Sequence, residues 1–186
     1  MTQLNDVRVA ILATDGFEET ELTEPKKALE QAGAHVTVLS LKSGQIQGMR
    51  HDKEPGATVP VDGSLDEADP HDFDAVHLPG GTVNADSLRM NPQVQRFLRS
   101  MQASGKPISG ICHAPWELVS AGLVRGRTLT SYYTVQDDIR NAGGTWLNEA
   151  VVEDENWITS RQPDDLPAFN KAIVEVFARA KARGHA

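Results

Sequence analysis

Short apolar runs alternate with longer amphipathic segments along most of this chain. Residues 7–13 (VRVAILA) are rich in β-branched side chains, which is typical of a strand buried on both faces. A segment with apolar positions at helical spacing follows and ends at Gly33, a residue that readily takes the left-handed conformation after a helix. Residues 35–41 predict a second strand. Because strand, helix and strand fit within about 35 residues, we expect a crossover unit with parallel strands.

The same alternation continues after one interruption. Residues 42–70 are rich in Gly and Pro and predict a hairpin of edge strands. Beyond them the pattern predicts strands at 75–78, 107–111 and 128–131 and near Trp146 and Trp157, and helices at 92–101, 114–121, 135–141 and 166–183. We therefore predict an α/β fold, a doubly wound and mainly parallel sheet sandwiched by helices as in flavodoxin, in one domain spanning residues 1–186 with its core at about 7–181.

Composition and charge indicate which binding partners and which cellular compartment to expect. The chain has 18 basic and 26 acidic residues and a formal net charge of −8, and its basic residues are scattered, so we expect no nucleic-acid partner. Residues 1–7 are polar and lack the pattern of a signal peptide. No apolar run reaches the roughly 20 residues of a membrane span. With one cysteine there is no intramolecular disulfide, and we expect a cytoplasmic protein without a membrane partner.

That cysteine, Cys112, lies where ligands collect in such a fold. Residues 110–115 (GICHAP) follow a predicted strand and precede a predicted helix, which gives the Gly-x-Cys-x-Ala pattern of a nucleophile elbow. Small residues at Gly110 and Ala114 suit a tight strand-to-helix turn. A helix N-terminus stabilises a thiolate, so we expect a lowered pKa for Cys112. The alternative is that Cys112 is an inert, buried, small hydrophobe.

Two other loops carry candidate chemistry at the same sheet edge. Glu18 and Glu19 follow the first strand, where acids also complement a helix dipole; we favour that structural role for Glu19 and a position facing the elbow for Glu18. Gly80 and Gly81 follow another strand, either as a simple turn or to let a substrate approach the backbone. Histidines and aspartates at 71–77 form a solvated turn more readily than an ion site, and we predict no metal.

Eight motifs of this chain are specific in their order and spacing: DGFEE at 15–19, LPGG at 78–81, GKP at 105–107, ICHAP at 111–115, SAGLVRGR at 120–127, TSY at 130–132, DDIRNAG at 137–143 and WITSRQPDDL at 157–166. Together they make the chain resemble the ThiJ/PfpI superfamily, and within it the PfpI-like branch of intracellular proteases and general stress proteins. The resemblance also implies a fold like that of class I glutamine amidotransferases. Those enzymes take a His-x-Glu from a later loop that reads SRQPDD here, so we exclude their reaction.

The resemblance implies a role for each candidate residue. Cys112 is the nucleophile, His113 its neighbouring base, and Glu18 the protonated acid that hydrogen-bonds the thiolate. The amides of Gly81 and His113 bind the oxyanion. A further acid comes from the adjacent subunit, and the matching position is Asp86, although this segment is one residue longer than the usual pattern and Asp reaches less far than Glu.

The resemblance also implies what the protein acts on. We expect a stress-related cysteine hydrolase without a cofactor: a peptidase, or a deglycase or glyoxalase acting on small carbonyl compounds and on glycated proteins or peptides. The alternative is a redox-responsive stress protein or holdase chaperone whose cysteine is oxidised without turnover. The resemblance also implies a homo-oligomer, with a dimer as the minimum; hexamers occur in the PfpI-like branch.

Overall fold

A seven-stranded sheet forms the centre of the computed structural model, which describes residues 3–184. Its strands, in spatial order, are β11 (Val151–Asp154), β12 (Trp157–Ser160), β8 (Ile108–Ile111), β7 (Ala75–Leu78), β1 (Arg8–Leu12), β3 (His35–Ser40) and β6 (Gly63–Ser64). Every neighbouring pair is parallel except β11 and β12. The predicted doubly wound, mainly parallel sheet is confirmed.

Six helices cover the two faces of this sheet. They are α1 (Glu19–Gln31), α2 (Thr82–Arg89), α3 (Pro92–Ala103), α4 (Pro115–Ser120), α5 (Gln136–Asn141) and α6 (Leu166–Gly184). On one face, side chains of α2 to α5 such as Phe97 and Leu118 pack into one buried cluster; on the other, α1 and α6 contribute Leu29 and Phe169 to a second. None of these helices has the length and apolar composition that crossing a membrane requires.

Two small sheets complete the fold. The predicted hairpin in residues 42–70 is confirmed as β4 (Gln45–Arg50) and β5 (Glu54–Pro60), which pair antiparallel, while β2 (Phe17–Glu18) pairs parallel with β4. At the hairpin tip His51 and Asp52 have φ angles of 55° and 58°, the consecutive left-handed residues that a tight hairpin turn requires. Farther along, β9 (Thr128–Leu129) pairs with β10 (Thr145–Trp146).

Helix α2 and strand β11 are absent from the sequence-based prediction. Helix α2 begins directly after the glycine pair, and one of its buried residues is polar: the Asn84 side chain accepts a hydrogen bond from the Thr14 amide at 2.8 Å and donates to the carbonyls of Pro79 and Gly80. Because polar contacts fix this face, it lacks the apolar repeat that reveals other helices. These contacts join α2 to the carboxyl ends of β1 and β7.

We expect Gly81 to be far less tolerant of a side chain than a glycine with positive φ in open space, such as Gly105. Gly81 has a φ of 94°, and a methyl group there would lie 2.2 Å from the Gly16 carbonyl oxygen. Gly81→Ala should lower the free energy of unfolding by about 3 kcal/mol or more. The control is Gly105→Ala, with a φ of 66° and open space around it, which should cost only about 1 kcal/mol. Urea titrations measure both, and equal losses would contradict the proposed steric clash.

Candidate active site

Cys112 lies at the carboxyl end of β8 in a strained backbone conformation. Its φ of 63° is in the left-handed region, which costs a non-glycine residue about 1–3 kcal/mol. Two hydrogen bonds hold it there: its amide donates to the Ser160 carbonyl at 3.1 Å, and its carbonyl accepts from the Tyr132 amide at 2.9 Å. The turn closes through the Ala114 amide, which donates to the Ile111 carbonyl. The chain thus forms the sharp elbow that the motif predicts.

His113 contacts the thiol directly. Its Nδ1 lies 3.2 Å from Sγ of Cys112, within hydrogen-bond distance. The imidazole stacks on the Tyr132 ring at a centroid distance of 5.0 Å and meets the edge of Trp116 at 5.1 Å. Burial lowers the pKa of His113, so its ring is neutral near pH 7 and one ring nitrogen is a base.

A second acid, Glu21 in the first turn of α1, shares the pocket with Cys112. Its side chain is fully buried, and Oε2 accepts a hydrogen bond from the Gly80 amide at 2.8 Å. The carboxyl lies beside the Cys112 side chain, and each of the two groups shifts the pKa of the other. Within residues 3–184 the other oxygen, Oε1, has no hydrogen-bond partner. Burial first, and then the charge of Glu18, raise the pKa of Glu21 to about 8. Glu21 is therefore mainly protonated at neutral pH.

The structure corrects the prediction for Glu18 on this point, because the acid that lies beside the Cys112 thiol is Glu21. Glu18 lies on β2, and its Oε1 accepts from the His51 amide at 3.2 Å. A signal for Glu21 was present in the sequence: Glu21, Pro25 and Leu29 are spaced i, i+4 and i+8 and form one buried stripe of α1. An acid in an apolar stripe indicates a functional or tightly held group.

The expected lowering of the Cys112 pKa is also wrong. Burial, followed by the negative charge and proximity of Glu21, raises the pKa of the Cys112 thiol, against a smaller opposing effect of the His113 amide. The two acids are close enough that their protons belong to the pair rather than to either residue. One negative charge on this pair is far easier to form than two, so a thiolate requires that Glu21 keep its proton.

The glycine pair brings backbone into contact with this pocket. A methyl group on Gly80 would lie 2.3 Å from Oε2 of Glu21 and 2.7 Å from Cβ of Cys112, so no side chain fits there. Gly81 packs on the loop at Gly16 and Glu18, with the same intolerance. The role of the Gly81 amide as an oxyanion donor stays a prediction.

Asp52 is a charged neighbour of the site that the sequence analysis missed. Its carboxylate accepts hydrogen bonds from the amide and hydroxyl of Thr82 at 2.9 and 2.8 Å, which fastens the tip of the β4–β5 hairpin to the start of α2. Its charge acts on Glu21, Cys112 and His113 and opposes the lowering of the His113 pKa. Asp52 and Thr82 are 30 residues apart, so no local motif reveals this contact.

Asp86 occupies a different place. It is exposed on α2, and the charges that shift the pKa values of Cys112 and His113 do not include it. Its contribution to a neighbouring subunit's site therefore stays a prediction.

Of the histidines at 71–77, His71 bonds to Asp69 at the surface, whereas His77 is buried in the central sheet. Residues 3–184 contain no cluster of three or more His, Cys, Asp or Glu side chains that would suit a metal ion.

Comparison with known proteins decides the family. A model of the DJ-1/PfpI family matches residues 7–176, which include both sides of the elbow and the whole central sheet. This chain belongs to the DJ-1/PfpI family. The resemblance inferred from the sequence motifs is thereby confirmed.

Individual members of the DJ-1/PfpI family match over nearly the whole chain. A deglycase of Thermococcus kodakarensis is 42% identical over 170 residues, covering 91% of this chain and 99% of the relative. Protein/nucleic acid deglycase 2 of Escherichia coli is 41% identical over 171 residues, covering 91% and 96%. A solved two-domain protein of Anabaena variabilis, with DJ-1/ThiJ/PfpI-like and ferritin-like domains, superposes with a TM-score of 0.85 at 37% identity; the match covers 91% of this chain but 48% of that one.

These likenesses confirm the expected class of protein. The chain is a hydrolytic enzyme of the PfpI type, and the alternative of a redox sensor or holdase without turnover is not favoured. In this member of the DJ-1/PfpI family, Cys112, His113 and the buried acid Glu21 lie together at the carboxyl ends of β8, β7 and β1.

Replacing Asp52 by Asn should lower the pKa of His113 further. The substitution removes a negative charge that favours the imidazolium, while the amide oxygen can still accept a hydrogen bond from Thr82. A titration of the His113 ring followed by NMR measures the shift. Asp66→Asn, at an exposed position away from the site, is the matched control and should leave the pKa unchanged. An unaltered His113 titration in Asp52→Asn would show that this charge does not reach the ring.

Proposed function

We propose that Cys112 is the nucleophile of a deglycase, an enzyme that removes reactive-carbonyl adducts from amines and thiols. One observation carries this proposal: Sγ of Cys112 lies 3.2 Å from Nδ1 of a neutral His113, and the same side chain interacts with the buried carboxyl of Glu21, whose pKa is raised to about 8. The site therefore holds a nucleophile, a base and a neutral acid in one place. The names of the relatives support the same substrate class.

The resting site holds its protons on Cys112 and Glu21. When the thiol proton moves to Nδ1 of His113, a thiolate forms beside a neutral Glu21, which can donate a hydrogen bond to it. The amide of His113 also favours the thiolate. The imidazolium is stabilised by the charge of Asp52. Substrate binding shifts this equilibrium when the thiolate adds to an electrophilic carbon.

An adduct of methylglyoxal with an amine reacts in three steps: displacement of the amine, isomerisation and hydrolysis. Sulfur bonds to the carbinol carbon, the carbon–nitrogen bond breaks, and the amine leaves with a proton from His113. A proton then moves from this carbon to the neighbouring one, and Glu21 supplies and takes back the proton on oxygen. The product is a lactate thioester of Cys112. Water hydrolyses the thioester, which releases lactate and restores the thiol. Free methylglyoxal would enter the same route at the addition step.

The burial of the nucleophile favours small substrates over extended peptides. Cys112 is only 8% exposed, and the Glu21 carboxyl is not exposed at all. A planar carbonyl fragment of a few atoms reaches such a sulfur more easily than a peptide backbone with side chains on both sides. Glycated proteins would present the adduct from the tip of a Lys, Arg or Cys side chain.

We also propose that the protein works as a homo-oligomer, with Asp86 of one subunit completing the site of another. The exposed outer face of α2 supports this, since Val83 on it and Met90 directly after it are 60% and 71% exposed. Exposed apolar side chains beside an active site favour a covered interface. Asp86 lies between these two residues in the sequence, on α2.

Removing the thiol should abolish turnover. Cys112→Ser and Cys112→Ala should lower kcat/KM on methylglyoxal-treated N-acetylcysteine or N-acetylarginine by at least about a thousandfold, because no other group can form the thioester. Glu21→Gln should cost about a hundredfold through the lost proton transfer. Lactate release measures both. Glu175→Gln, at the surface of α6, should behave as wild type, and near-normal activity of Cys112→Ser would contradict the proposal.

Mixing two inactive variants tests the shared site. If Asp86 acts across an interface, Cys112→Ser and Asp86→Asn proteins should both be impaired, but a dimer formed from one of each contains one complete site. After unfolding and refolding an equal mixture, activity should return to about a quarter of the wild-type value. Light scattering records the oligomer. A monomer, or a mixture no more active than its parts, would remove Asp86 from the site.

A further inference from the structure

A proline inside α1 leaves one backbone carbonyl without its helical donor. In an α-helix the amide of residue i donates to the carbonyl of residue i−4, so the carbonyl of Glu21 would normally bond the amide of residue 25. That residue is Pro25, which has no N–H and whose ring pushes the carbonyl at i−4 outward. The carbonyl concerned belongs to the residue whose carboxyl contacts Cys112.

His77 supplies the missing donor. It lies on β7, fully buried, with Nε2 2.9 Å from the Glu21 carbonyl oxygen and Nδ1 3.0 Å from Oγ of Ser109. Because a carbonyl only accepts, Nε2 must carry the hydrogen. Burial lowers the pKa of His77 to about 4, so the ring is neutral and Nδ1 accepts from the Ser109 hydroxyl. The tautomer is fixed by its two partners.

These contacts form a chain of bonds from the elbow strand to the acid. His77 and Ser109 are directly paired across β7 and β8, and Cys112 follows β8. We infer that His77 is a positioning residue for the catalytic pair, which fixes the first turn of α1 through the Glu21 carbonyl so that the Glu21 carboxyl stays dry, protonated and in contact with the Cys112 sulfur. This inference rests on the pairing of Cys112 with Glu21 in the proposed function.

The effect on chemistry follows from what surrounds the Glu21 carboxyl. It faces the carboxylates of Glu18 and Asp52, the Cys112 side chain and the Gly80 amide, and burial is the largest cause of its raised pKa. If the Glu21 carbonyl loses its donor, the first turn must open to water, and the pKa of Glu21 falls. Glu21 is then mainly ionised at pH 7 instead of mainly protonated, and a carboxylate beside the sulfur suppresses the thiolate.

A merely structural histidine would behave differently. The ring of His77 also packs against Phe169 of α6 at a centroid distance of 5.8 Å. If His77 only filled space there, its substitution would lower the stability of the whole protein without changing the ionisation of Cys112 selectively.

Replacing His77 by Gln or by Asn should keep one of its two hydrogen bonds and remove the other. The side-chain nitrogen of Gln extends about as far as Nε2 of His and can donate to the Glu21 carbonyl, whereas Asn reaches only to the position of Nδ1 and retains a partner for Ser109. The measurement is the rate of Cys112 alkylation by iodoacetamide between pH 5 and 10, followed by mass. We expect His77→Gln to keep the wild-type profile and His77→Asn to react about tenfold more slowly at pH 7.

Restoring the helical donor provides the sharper test. His77→Leu should slow alkylation at pH 7 as His77→Asn does. Adding Pro25→Ala gives residue 25 an amide that can bond the Glu21 carbonyl within the helix, so the double variant His77→Leu/Pro25→Ala should recover most of the lost rate. Pro25→Ala alone, which leaves His77 in place, is the control and should differ little from wild type.

The outcomes decide the inference. A shifted profile in His77→Asn together with recovery in the double variant supports it. A wild-type profile in His77→Asn overturns it, as does a folded double variant that is no faster than His77→Leu. If His77→Leu fails to fold, the comparison of His77→Gln with His77→Asn still decides. Because alkylation reports the thiolate and not turnover, absence of deglycase activity would refute the proposed function without affecting this test.

Discussion

The contact between Cys112 and Glu21 is the constraint on which the active site depends. Two acids share a pocket with almost no exposure to water, and a low-dielectric site does not hold two negative charges at this distance. The pair therefore carries one charge at most near neutral pH. Which atom carries it depends on small differences in hydration and hydrogen bonding, and these differences are set by the fold around the pair.

The fold supplies that control through backbone groups. The amide of Gly80 holds one oxygen of Glu21, and the left-handed conformation of Cys112 is kept by bonds to Ser160 and Tyr132. Strands β7, β8 and β12 are neighbours in the sheet, so the groups that hold both acids belong to one rigid unit. The strain at Cys112, about 1–3 kcal/mol, is offset by this packing and keeps the sulfur at the apex of the turn.

What could be predicted from the sequence depends on whether the signal is local. The elbow at Cys112 is a local pattern of small residues between a strand and a helix, and both the turn and the surrounding sheet were predicted correctly. The sequence analysis took Glu18 as the acid from the resemblance to the ThiJ/PfpI superfamily and weighed only Glu18 and Glu19, because both follow the first strand; only the register of α1 shows that Glu21 points inward. Asp52 affects the site because the tip of the β4–β5 hairpin contacts Thr82, which is 30 residues away in the sequence. The hydrophobic periodicity of a segment does not predict such a long-range contact.

The arrangement of charges also indicates which chemistry the pocket can support. No Lys or Arg of residues 3–184 is among the charges that shift the pKa values of Cys112 and Glu21, whereas Glu18 and Asp52 add negative charge around them. Such surroundings disfavour a long-lived oxyanion, which would rely on backbone amides alone. They favour a neutral Glu21 that transfers its proton as soon as charge develops on the substrate oxygen. Reactions of aldehydes and their adducts, in which protons move between carbon and oxygen, suit this pocket better than reactions that accumulate a charged tetrahedral intermediate.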